Sequence, residues 1–141
     1  MVRTDLYQLS TLTPDRSVKL RGRATLEHKV RSGRVELVEL GLLRGYAETW
    51  RKLDARGLDV SADEPWMKVR KELWRERGIE VGRLDVDGRR WWTVCVDAAS
   101  IDRPPALLER WRAVLVGHGQ CHSYASWILE LQRSRSGRRR R

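Results

Sequence analysis

Three short stretches set cations at alternate positions between apolar residues: Val18-Lys19-Leu20-Arg21, Leu26-Glu27-His28-Lys29-Val30-Arg31 and Trp66-Met67-Lys68-Val69-Arg70-Lys71. Side chains two apart on a strand share a face, so Lys19 with Arg21, Lys29 with Arg31, and Lys68 with Arg70 each point one way. Strands of this kind side by side give a sheet with one greasy and one cationic face. Ammonium and guanidinium groups converging on a concave surface grip phosphate or carboxylate oxygens. If the sheet curls, the cationic face becomes the wall of an anion pocket; if it stays open, the same residues are a solvated surface.

The elements that must position these cations are strands in the first two thirds of the chain. A short strand over Thr4–Leu9 precedes a turn at Thr13-Pro14-Asp15. Ser17–Arg21 and Thr25–Arg31 then form a hairpin through Gly22-Arg23, and Ser32-Gly33 is the next turn signal. Val35–Asp54 admits a helix, from its apolar spacing at three and four residues, or a loop followed by a strand over Ala47–Leu53. Gly41 and Gly45 favour the second reading, each costing about 1 kcal/mol against Ala inside a helix. Pro65 precedes a strand over Trp66–Arg75, and Asp87-Gly88 joins Glu80–Val86 to Arg89–Ala98 in the clearest hairpin. Periodicity then becomes helical. Pro104, Leu107, Leu108, Trp111, Val114 and Leu115 mark one helix, stopped by Gly117 and Gly119; Tyr124, Trp127, Ile128 and Leu131 mark a second. The expected class is α+β: an antiparallel sheet carrying two C-terminal helices.

With 141 residues the chain suits one domain over 1–132 with a core of its own, followed by a tail over 133–141. It has no Phe but seven Trp, so the aromatic bulk of the core is largely indole. The net charge of +10 is unevenly spread. Six Arg and no acid lie in Arg133–Arg141, leaving 23 of the 29 cations against 19 acids, or +4, in the body. A run of this composition is expected to be disordered and either solubilises the chain or attracts nucleic acid without regard to sequence. Cys95 lies in an apolar run and reads as a small buried residue; two cysteines make no disulfide framework. The start Met1-Val-Arg-Thr has no leader pattern and no apolar run is long enough for a span, which predicts a cytoplasmic protein.

Other chemistry-bearing groups have plainer explanations. His118-Gly-Gln-Cys121-His122 offers three metal ligands where zinc usually takes four, and its glycines explain it as a helix connector. Trp91-Trp92 beside Arg89-Arg90 suggests stacking on bases, but on a strand the two indoles face opposite ways. Packing is expected instead, with Trp92 in the core beneath the helices. Glu27, Glu48 and Glu72 share parity with nearby cations, so cross-strand ion pairs are an alternative to a ligand site.

The order of motifs resembles the CYTH superfamily of triphosphate tunnel enzymes and adenylyl-cyclase-like proteins, and most nearly an uncharacterised bacterial CYTH-like group. The resemblance runs through Tyr7, Val18–Gly22, Leu26–Val30, Glu48-Thr-Trp50-Arg-Lys52, Trp66–Lys71, Trp91-Trp92-Thr93 with Asp97-Ala98, and Ser123-Tyr124-Ala-Ser-Trp127. It implies an antiparallel sheet curled into a full or partial barrel whose inward cations hold a polyphosphate or phosphorylated small molecule. Carried over by position, Lys19, Arg21, Lys29, Lys52, Lys68 and Arg70 would grip phosphate, joined by Arg31 from the alternation. Glu27, Glu48, Glu80 and Asp97 would hold Mg²⁺ or Mn²⁺ for triphosphate hydrolysis. The chain departs from the family pattern in having no Glu-x-Glu-x-Lys strand before Asp5 and no closing acidic pair. That favours anion binding over catalysis and leaves a barrel edge for the helices or a second chain to cover. The rival readings are a nucleic-acid or polyanion-binding module using the Arg tail, and a non-catalytic interaction protein.

Overall fold

The computed structural model describes residues 1–40, 43–58, 60–61, 63–76, 79–96 and 123–138. Seven strands and one helix follow in order: β1 (Val2–Gln8), β2 (Arg16–Arg21), β3 (Thr25–Leu40), β4 (Leu43–Leu53), β5 (Trp66–Glu76), β6 (Ile79–Val86), β7 (Arg89–Val96) and α1 (Tyr124–Arg138). They form one antiparallel sheet in the order β4-β3-β2-β1-β5-β6-β7, curled into a half-barrel rather than closed. β1 therefore lies at the centre, paired with β2 on one side and β5 on the other.

Local chemistry accounts for most of this. On β5, Met67, Val69, Lys71 and Leu73 are buried while Lys68, Arg70 and Trp74 are exposed, the period of two that a half-buried strand requires. At the β6–β7 turn both Asp87 (φ 54°) and Gly88 (φ 72°) take positive φ, as the tight mirror-image turn demands. α1 starts at Ser123, whose hydroxyl oxygen accepts from the Ser126 N–H at 3.2 Å. Its Ala125 and Ile128 pack against Tyr7, Met67, Val69, Leu84 and Val86. The helix thus covers one face of the β1, β5 and β6 region, here called the inner face. Ile128 is fully buried at the centre of this contact. We expect Ile128→Ala to lower stability by about 2–5 kcal/mol, read as a drop in the urea midpoint.

Several expectations need correction. Ser32-Gly33 is not a turn: β3 runs on to Leu40, with a register shift between Ser32 and Glu36 and Gly33 at φ 80°. The glycine accommodates a bulge instead of reversing the chain. β4 accordingly begins at Leu43, and neither the helix nor the loop expected before Ala47 forms. Only one C-terminal helix is found among the described residues; the other, expected between Pro104 and Leu115, and the His118–His122 cluster lie outside them. Arg133–Arg138, expected to be disordered, continue α1. Ser134 and Ser136 donate to the carbonyls of Glu130 and Gln132, and Arg135 pairs with Asp87 at the β6–β7 turn. Cys95 is exposed rather than buried. Trp91, not Trp92, meets the helix: its ring lies edge-on to Trp127 at 5.8 Å, while Trp92 is 67% exposed on the opposite face. Strand parity places only one of two adjacent indoles in the core, and the register chose the first.

Candidate functional site

The helix covers only part of the inner face. Over β1, β2, β3 and β4 that face is charged, and its ion pairs gather around two carboxylates. Asp5 on β1 is fully buried. Its oxygens lie 3.1 Å from Lys71 Nζ, 3.5 Å from Lys19 Nζ and 3.2 Å from Arg3 Nε, and the Gly22 N–H donates to Oδ1 at 3.2 Å. Register explains the gathering: Asp5 faces Val69, two positions from Lys71 on the same side of β5, while Lys19 lies opposite Tyr7 on β2. Burial alone would raise the Asp5 carboxyl, but Lys71, Lys19, the Gly22 N–H and Arg3 outweigh it and hold it below the usual value.

Lys71 is enclosed from every side. Its ammonium donates to the Tyr7 hydroxyl at 2.8 Å and lies 3.7 Å from the ring centroid of Tyr124, which α1 lays over it. Tyr7 and Tyr124 stack at 6.4 Å. Two aromatic faces and one carboxylate replace the water the ammonium has lost. Desolvation, with Lys19 and Arg3 nearby, nevertheless pulls its pKa down to about 7, against the opposing pull of Asp5.

The second carboxylate is Glu27 on β3, directly opposite Lys19. Lys19 Nζ lies 3.3 Å away, Arg21 3.2 Å and Lys52 3.5 Å. Against the cost of burial, these cations lower its pKa to about 2, Lys19 contributing most. Lys29 lies on the same face, opposite Lys52 on β4. Among the described residues no carboxylate lies within ion-pair distance of it. Burial depresses its pKa, and Lys19, Lys52 and Arg21 depress it further, with only Glu27 opposing.

The face therefore brings together four of the seven predicted anion ligands: Lys19, Arg21, Lys29 and Lys52. Arg31 is further along the same side of β3, 3.7 Å from Glu48, which also accepts from the Trp50 indole N–H at 2.8 Å. Lys68 and Arg70 do not join them. They pair in register with Leu6 and Thr4 and are exposed on the outer face, because β5 presents its other parity inward. The three predicted metal carboxylates among the described residues do not share a site. Glu27 is held by three cations, Glu48 by Arg31, and Glu80 by Arg75 at 2.5 Å. Asp97 lies outside the described residues. Within them no group of three His, Cys, Asp or Glu side chains is placed to hold a metal ion, so the described carboxylates do not fit Mg²⁺ or Mn²⁺.

Sequence reasoning missed Arg3, Asp5, Lys71 and the role of Tyr124. One signal was present. Met67, Val69, Lys71 and Leu73 form the apolar parity of β5, and a lone lysine in that series marks a cation that must be buried with a partner. The eye goes instead to Lys68 and Arg70, the ordinary solvated positions.

Comparison with protein-family models, curated proteins and solved structures gave no match. No helix among the described residues is long and apolar enough to cross a membrane.

Proposed function

We propose that the charged part of the inner face binds a phosphate-rich anion, a polyphosphate or a phosphorylated small molecule, in the manner the resemblance to the CYTH superfamily implies. The observation that carries this reading is Lys29: a partly buried cation among Lys19, Arg21 and Lys52, with no carboxylate of its own in ion-pair range among the described residues. Around it, Glu27 is the shared counter-ion of three cations. Positive charge in such excess is costly to hold together, and a multivalent anion relieves it. Arg21 and Lys52 keep 38% and 64% of their side chains exposed, which leaves the rim open to a ligand. Arg21 offers a planar fork for two phosphate oxygens, and the lysines offer point charges. The reaction class is binding, because the described carboxylates that would organise a metal, Glu27, Glu48 and Glu80, are each engaged by cations of the protein.

The test is calorimetric titration of the full chain with tripolyphosphate and with a nucleoside triphosphate. Saturable binding is expected, weakening as salt rises. Lys29→Ala should reduce affinity about ten- to a hundred-fold, the worth of one charge-assisted contact, while Lys68→Ala on the outer face should leave it unchanged. Absence of saturable binding, or equal loss from both substitutions, would reject the inner-face site.

A further inference from the structure

The outer face of β5, β6 and β7 carries a feature that the anion site does not use. Trp74 and Trp92 are 46% and 67% exposed, yet their rings stack with centroids 6.1 Å apart and planes 21° apart. They stand on strands that do not touch each other. Trp74 is opposite Val81, Trp92 is opposite Arg83, and both of those residues belong to the intervening β6. The two indoles therefore lean towards each other over β6, leaving broad aromatic surface in water.

Charges of both signs flank this pair. By strand parity the outer face also carries Lys68 and Arg70 on β5, Arg83 on β6 and Arg90 on β7. The acids on the same side are Glu72, which is engaged by Arg83, Glu76, two residues from Trp74, and Asp85, in register with both Arg70 and Arg90. Lys68, Arg70 and Arg90 are all exposed. Two exposed indoles sharing a face with the exposed cations Lys68, Arg70 and Arg90 match a polymer that alternates flat rings and phosphates.

We propose that this outer face binds single-stranded nucleic acid, with unpaired bases stacking on Trp74 and Trp92 and phosphates contacting Lys68, Arg70 and Arg90. Stacking of this kind is indifferent to sequence, since every base has a flat face, and the phosphate contacts make it salt-dependent. A duplex, whose bases are already stacked inside, offers the indoles nothing. The site is separate from the inner-face anion site, so each stands or falls alone.

The test is fluorescence anisotropy of the full chain with labelled oligo-dT and oligo-rU of about ten nucleotides, beside a duplex of equal length, between about 50 and 200 mM salt. Single strands are expected to bind more tightly than duplex. The double variant Trp74→Ala/Trp92→Ala should lose tenfold or more in affinity while keeping its salt slope. Arg70→Ala/Arg90→Ala should flatten that slope, and Trp74→Phe/Trp92→Phe should restore much of the binding. Equal affinity for duplex and single strand overturns the proposal. So does full binding by the Trp74→Ala/Trp92→Ala variant, which would place the contact on the Arg-rich end of the chain. Loss of a dimer in that variant by sedimentation would assign the indoles to self-association and equally overturn it.

Discussion

Replacing Asp5 by alanine is expected to cost the fold about 3–5 kcal/mol, among the largest effects of any single substitution in this chain. The carboxylate is fully buried at the centre of the sheet, and Lys71, Lys19 and Arg3 all lie within 3.5 Å of it. Removing it leaves three cations facing one another, one of them Lys71 with no route to water. The lost attraction is the smaller part; the larger is the uncompensated charge left behind. Urea unfolding would show the midpoint falling with an unchanged slope. The double substitution Asp5→Ala/Lys71→Met should recover part of the loss, because an apolar side chain under Tyr7 and Tyr124 needs no counter-ion. If the double variant is as unstable as the sum of the singles, Lys71 is not the group that depends on Asp5.

Acidification should produce the second large effect. The Glu27 pKa falls from 4.5 in a free side chain to about 2 in the folded chain. A carboxylate lowered in this way stabilises the fold fully above the unfolded value and loses that contribution as pH falls towards the folded value. The shift corresponds to about 3 kcal/mol, lost between about pH 5 and pH 2. Asp5 is shifted in the same direction and adds to the same slope. Glu27→Gln should flatten the stability curve over this range, and a variant as acid-sensitive as the parent would remove Glu27 from the explanation. Lys71 acts in a different window. Its folded pKa of about 7 lies below the ordinary 10.5, so the unfolded chain binds more protons between these values and stability rises with pH across them. The two windows do not overlap, and titration in each separates the groups.

Much of the sheet was legible because its signals are local. The alternation in Val18–Arg21 and Trp66–Lys71, the Asp87-Gly88 turn and the three- and four-residue spacing after Tyr124 each refer to neighbours along the chain. Legibility failed where one residue type serves two geometries. Gly33 signals a turn, but it sits in a bulge within a strand that continues to Leu40. The candidate site was half readable for a similar reason. Strand parity groups Lys19 with Arg21 and Lys29 with Arg31, and these cations do share one face with Lys52. Lys68 and Arg70 obey the same parity rule on β5 but point outwards, since nothing local says which side of a strand the helix will cover.

By itself, the sequence determined an antiparallel sheet with strongly sided strands, a C-terminal amphipathic helix and pairs of cations sharing each face. Side-chain direction repeats every two residues on a strand, and that period is written in the chain. Only the tertiary structure decided which pairs meet. It placed β1 between β2 and β5, so that Asp5, in register with Val69, lies 3.1 Å from Lys71, distant in sequence but two positions along the neighbouring strand. It laid Tyr124 over that lysine, turned Lys68 and Arg70 to the outside and left Trp92 beside Trp74 in water. Pairing register and the choice of covered face come from the packing of whole elements, a free energy that no short stretch of sequence contains.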